Sequence, residues 1–175
     1  GMWLLEESLR YWKSQGLVLT AADLARDASV LTRKQIIDTN DSRFAKPGEM
    51  PERIAEYCRE TGQEVPATPA EFARCIFDSL AHAYAQSLRE LEDAANVKVR
   101  EINIVGGGSS NELLNQLTAD ATGLTVIAGP VEATVLGNLI IQMMSAGWID
   151  SLEAGRTLIA ESSGRKTFHP QTVRS

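Results

Sequence analysis

The stretch INIVGGGSSNELLNQLTADATG, Ile102 to Gly123, holds the strongest local signal in the chain. Around its start, "REINIV" is a run rich in β-branched residues and predicts a strand that ends at Gly106. "NELLNQLTADATG" predicts a helix closed by Gly123, because glycine accepts the left-handed conformation that ends helices. Three glycines join the two elements. Glycine tolerates positive φ and lacks the Cβ that would hold a ligand away. The helix that follows offers unpaired N–H groups and a partial positive charge at its start. A phosphate or a ribose lying over Gly106, Gly107 and Gly108 would be well served. Ser109, Ser110 and Asn111 stand where they can cap the helix or reach such a ligand.

Spacing alone leaves a purely structural turn as the competing reading. A dinucleotide fingerprint needs G-x-G-x-x-G, and position 111 is Asn. The next predicted strand, "LTVIAG", has no acidic residue to hold a ribose. No Lys follows the glycines, so the turn is not a P-loop either.

Downstream, "LTVIAG" is broken by Pro130, and "VEATVLGNLIIQMMSAG" predicts an apolar and therefore buried helix ending at Gly147. "DSLEAGRTLIAES" predicts a last helix with Asp150 or Ser151 as its cap, and residues 164–175 read as a polar tail. Upstream, Leu5, Leu9 and Trp12 mark an amphipathic helix with Gly16 beyond its end and no capping residue at its start. "TAAD", Thr20 to Asp23, opens a short helix. Ile36-Ile37 predicts a short extended piece, and "DTNDSRFAKPGEM" a turn-rich loop. Pro51 suits the first turn of a helix to about Thr61. Thr68, Pro69 and Glu71 start a long helix to about Ala94, with Phe72, Ile76, Leu80, Tyr84, Leu88 and Leu91 on one stripe. Such a helix spans roughly 39 Å and is expected to cross the whole domain.

The order is therefore helices, then strand–helix–strand–helix–helix: an α/β fold, helix-rich with few strands, in which a crossover helix makes two strands parallel. Two strands are too few for a covered sheet, so the expectation is an incomplete domain from the C-terminal part of a larger protein.

The chain has 175 residues, 43% of them hydrophobic and 23% charged, with a formal net charge of -6 and a pI near 5.0. Scattered basic residues in an acidic chain argue against a nucleic-acid surface. No apolar run approaches the ~18 residues of a membrane span, and no signal peptide is expected. Cys58 and Cys75 lack CxxC spacing and read as free thiols of a cytoplasmic protein. His82 and His169 have no partner at ligand spacing, so no metal site is expected.

The segment from Ile102 to Gly147 closely resembles the C-terminal domain of the FGGY family of carbohydrate kinases. The shared pattern is a strand, GG(G/A), a four-residue step to Asn or Ser, "Q..AD", a strand and "E.(T/S).(L/A)G(N/A)". "NDSRFAKPGEMPERIAEYCRETGQEVP" and "FARCIFDSLAHAYAQSLREL" are similar to family segments too. The resemblance covers the chain from "GMWLLEESLRYW" to about Ser163. It implies an actin-like ATPase fold of two ribonuclease-H-like domains, with ATP and sugar meeting in the cleft between them. This chain would be most of the second domain, with inserted helices over 1–95 and the strand–helix–strand nucleotide part over 101–163. By the same resemblance Gly107 lies against the α-phosphate and ribose, and Asn111 near the adenine and ribose. Gly106, Gly108 and Ser109 line the same turn.

A sugar kinase sets a hydroxyl in line with the γ-phosphate, with a carboxylate to accept the proton and Mg²⁺ to hold the phosphates. The family draws its phosphate loop, most sugar contacts and catalytic Asp from sequence upstream of the segment matched. No D-x-G-x-(S/T) motif occurs in the 175 residues. The expected partners are ATP or ADP and a ketose, with Mg²⁺ held mainly elsewhere, and the chain alone is expected to be inactive. Glu132 is expected to cap a helix start, Asp120 to serve structure, Arg156 to pair locally, and Met143-Met144 to fill the core. Two alternatives stand beside this reading. One is a kinase of the same family acting on xylulose or glycerol. The other is a non-enzymatic interaction module that associates through a sheet edge and the Trp3-Leu4-Leu5 cluster.

Overall fold

The computed structural model describes residues 2–32, 35–162 and 164–171, in two compact units that divide after Lys98. The first unit is helical: α1 (Trp3–Ser14), α2 (Ala21–Ser29), α3 (Met50–Glu60) and α4 (Pro69–Ala95), with a short 3₁₀ turn at Ser42–Ala45 before α3. Local chemistry sets the helix starts. The Thr20 hydroxyl accepts from the Asp23 N–H. At α4 the Thr68 side chain accepts from the Glu71 N–H while the Glu71 carboxylate accepts from the Thr68 N–H, a reciprocal cap with Pro69 in the first turn. α1 starts without a side-chain cap, and Gly16 follows it at φ 85°. The core joins Leu5, Leu24, Ile54, Ile76 and Phe77 from all four helices.

Several expectations for this unit are corrected. The buried face of α1 runs through Leu4, Leu5, Ser8 and Trp12, and Leu9 is only half-buried. Burying Leu4 and Leu5 leaves Trp3 as the one exposed member of the expected apolar cluster, and its indole donates to the Phe44 carbonyl at 3.1 Å. Glu7, 1% exposed, accepts from the Gly48 N–H at 2.9 Å and pairs with Arg10, so it fastens the loop before α3 to α1. Ile36 and Ile37 pair with no strand among the described residues. Side chains replace the missing neighbour: Gln63 bonds both the N–H and the carbonyl of Ile36 at 2.8 Å, and the Ile37 N–H donates to Ser79. Of the expected stripe of α4, Ile76 and Leu80 are buried, Phe72 and Leu88 half-buried, and Tyr84 and Leu91 exposed. The nine-residue α2 packs on α4 but covers about 14 Å of its ~40 Å length. Cys58 and Cys75 are free and buried, and a hydrogen bond to Cys58 together with burial pushes the Cys75 thiol up.

The second unit contains β1 (Glu101–Ile104), α5 (Glu112–Thr122), β2 (Thr125–Ala128), α6 (Ala133–Ser145), α7 (Leu152–Ser162) and β3 (Lys166–Phe168). β1 pairs parallel with β2, from Glu101 opposite Thr125 to Ile104 opposite Ala128. α5 is the crossover between them and packs against β2. The sheet has a third strand. β3 runs antiparallel to β2, with Val126 opposite Phe168 and Ala128 opposite Lys166. Residues 166–168 therefore leave the expected polar tail for the sheet. α5 anchors this segment by side chains: Asp120 accepts from the Gln171 N–H at 2.7 Å, Gln116 donates to the His169 carbonyl at 2.8 Å, and Glu112 pairs with Lys166. Asp120 thus ties the segment after β3 to α5.

The apolar α6 is the largest departure. Ile140 is its sole buried residue, while Val135, Leu139 and Ile141 are about half exposed and Met143 and Met144 half-buried. Its helical neighbour among the described residues is α7, and one helix covers only one stripe of another. The contact is close: a Cβ at Gly155 would stand 2.6 Å from Ile140 Cγ2. Ser151 accepts from the Ala154 N–H at 3.1 Å, in line with the expected cap of α7. Arg156 makes no ion pair among the described residues.

Candidate nucleotide site

The glycine turn lies at the carboxyl ends of the two parallel strands, the end of an α/β sheet where ligands are received. The ladder continues past both strands and fixes it. The Gly129 N–H donates to the Ile104 carbonyl at 2.8 Å, and the Gly106 N–H donates to the Pro130 carbonyl at 2.9 Å. Gly106 has φ 78°, which suits glycine and turns the chain sharply away from β1. Gly107–Ser110 then form a single 3₁₀ turn, and Asn111 caps α5 by accepting the Leu114 N–H at 3.0 Å. All the residues singled out in the sequence, Gly106, Gly107, Gly108, Ser109 and Asn111, thus belong to one structural element.

Their roles differ. Gly107 and Gly108 have no positive φ, and a Cβ on either would meet nothing within 4 Å. Neither conformation nor packing within the chain requires glycine there. Their N–H groups have no hydrogen-bond partner among the described residues. Ser109 faces the other way: it is 7% exposed, and its hydroxyl donates to the Gly106 carbonyl at 2.7 Å. It serves the turn instead of presenting a hydroxyl outward. The Asn111 oxygen is committed to the cap, which leaves its side-chain N–H₂ as the group able to reach a ligand.

Glu132 stands at the start of α6, exposed and without the side-chain cap expected of it, since its φ of -94° and ψ of 45° depart from the extended capping geometry. Beyond these, the sequence reading missed Asn115. It sits one turn into α5, fully buried, and donates to the Ser109 carbonyl at 2.9 Å. Its only signal was an amide interrupting the apolar run "LLNQL". A polar cleft of about 430 Å³ lies in the helical unit between Asp38, Asn40, Tyr57, His82, Gln86 and Glu90. Among the described residues no group of three His, Cys, Asp or Glu is placed to hold a metal ion. No helix of the described residues is long and apolar enough to cross a membrane.

Comparison with known proteins agrees with this architecture. The chain is 42% identical over 173 residues to the rhamnulokinase of Oceanobacillus iheyensis, covering 99% of this chain and 36% of that protein. It is 44% identical over 172 residues to the rhamnulokinase of Enterobacter sp. (strain 638), covering 98% of this chain and 35% of the relative. The chain thus spans about a third of the length of these relatives. The structure of xylulose kinase from Rhodospirillum rubrum superposes with a TM-score of 0.61 at 15% identity, covering 100% of this chain and 34% of that one, a likeness of fold. The helix-rich α/β architecture with its small sheet is that of the actin-like ATPase C-terminal domain. Residues 1–146 match the family described as "FGGY family of carbohydrate kinases, C-terminal domain", and the chain belongs to that family.

Proposed function

We propose that the glycine turn receives the adenosine end of ATP in a cytoplasmic rhamnulokinase, which transfers the γ-phosphoryl group to O1 of L-rhamnulose and releases ADP. The observation that carries this reading is the open face of Gly107 and Gly108. Their two N–H groups have no partner among the described residues, and a Cβ on either glycine would meet nothing within 4 Å. Such a surface suits the α-phosphate and ribose, with Asn111 beside the adenine. The sugar is assigned from the relatives, which are named rhamnulokinases. Xylulose kinase shares the fold at 15% identity and does not favour its own substrate here. The interaction-module reading loses its apolar cluster, because Leu4 and Leu5 are buried.

None of the described residues is assigned to Mg²⁺, to the γ-phosphate or to proton abstraction. The chain by itself is therefore expected to bind ADP without turning over. A coupled ADP-release assay with ATP, Mg²⁺ and L-rhamnulose checks this, with the chain alone at background and turnover in the full-length kinase that contains it. Turnover by the chain alone would contradict the assignment, and so would a full-length protein that preferred xylulose or glycerol.

A further inference from the structure

We infer that Asn115 is a positioning residue for nucleotide binding: its buried amide fixes the Ser109 carbonyl and thereby holds the Gly107 and Gly108 N–H groups in place. This rests on the nucleotide reading of the glycine turn. Asn115 is 0% exposed, beside buried Leu114, Thr118 and Ala119. One end of its amide donates to the Ser109 carbonyl at 2.9 Å, bridging six residues. The other end, Oδ1, is buried without a partner among the described residues. A buried amide oxygen left unpaired is costly, and an apolar side chain of similar size avoids that cost. Packing of α5 alone therefore favours leucine at this position. What asparagine supplies is the bond to the turn.

The turn needs it. Gly106, Gly107 and Gly108 have no side chains to anchor them, and glycine loses the most freedom on ordering. Ser109 closes the second link, with its hydroxyl and its N–H both donating to the Gly106 carbonyl, at 2.7 and 3.0 Å. Asn115 and Ser109 form the inner side of the turn, and the open face over Gly107 and Gly108 forms the outer side. Ordering the turn before the nucleotide arrives removes that entropy from the binding step.

The test separates affinity from folding. In the full-length kinase, Asn115→Leu is expected to raise KM for ATP and Kd for ADP about tenfold, because the turn must then be ordered by the ligand. The thermal midpoint falls only slightly, since loss of the bond to the Ser109 carbonyl and removal of the unpaired oxygen oppose each other, and kcat changes less than twofold because the reacting groups are elsewhere. Ser109→Ala is expected to move KM in the same direction by a smaller factor. Three results would overturn the inference. Unchanged ADP affinity in Asn115→Leu beside weakened binding in Gly107→Val removes the positioning role and leaves the nucleotide site intact. A thermal midpoint that falls as far in Asn115→Leu as in the destabilised Gly129→Val makes Asn115 a general structural residue. Unchanged binding in Gly107→Val removes the nucleotide reading, and the inference with it.

Discussion

Gly107→Val is expected to weaken ADP binding on the order of a hundredfold, about 2.8 kcal/mol, while leaving the fold intact. The two halves of this expectation come from the same observation. Gly107 has no positive φ and its Cβ would meet nothing within 4 Å, so valine is accommodated without strain or clash. A surface substitution of that kind changes stability by within about 0.5 kcal/mol. The space valine would occupy is the space assigned to the α-phosphate and ribose, and the branched side chain would screen the unpaired N–H groups beside it. Titration calorimetry with ADP, run beside a urea unfolding curve, reads both quantities. Loss of stability in proportion to loss of binding would show that Gly107 serves the fold. Unchanged binding would remove the nucleotide from this turn.

Gly129→Val is expected to destabilise the second unit by about 3 kcal/mol, from the sum of backbone strain and overpacking. Gly129 is buried at φ 114°, a conformation that L-residues rarely adopt. A Cβ there would stand 3.2 Å from the Gly164 carbonyl oxygen and 3.6 Å from Arg165 Cα. Both are backbone atoms leading into β3, so they can yield only by drawing that strand off β2. The Gly129 N–H also holds the end of β1 through Ile104, so the disturbance reaches the glycine turn. A lowered urea midpoint with faster amide exchange at Lys166–Phe168 is the predicted pair of results. Gly137→Ala is the control, because its Cβ enters open space in the exposed α6. Equal effects of the two substitutions would contradict the role given to Gly129.

The contrast between Gly107 and Gly129 shows what the sequence could disclose. Both are glycines at the ends of predicted strands, and only the structure separates the one required by the backbone from the one that leaves a space. Signals confined to a few residues were legible. The reciprocal Thr68–Glu71 cap, the Gly123 stop and the parallel pair of strands all appear where the pattern placed them, and Asn111 is the one of three candidate residues that caps α5. Features made by distant partners were not. Lys166–Phe168 is polar and short, and becomes a strand because β2 pairs with it and Asp120, 51 residues upstream, bonds Gln171. Apolar composition misled at α6, where hydrophobicity says what a helix can bury and not what covers it. Glu7 and Asn115 are polar residues made internal by loops that fold back on them, and no periodicity announces that.

The central claim is that nucleotide lies over Gly107 and Gly108. Amide chemical-shift mapping during an ADP titration tests it most directly. The account predicts the largest shifts at Gly107, Gly108 and Ser110, with smaller ones at Asn111 and at the Asn115 side-chain amide. Shifts confined to the cleft around Asp38, His82 and Glu90, with the glycine turn unmoved, would contradict it.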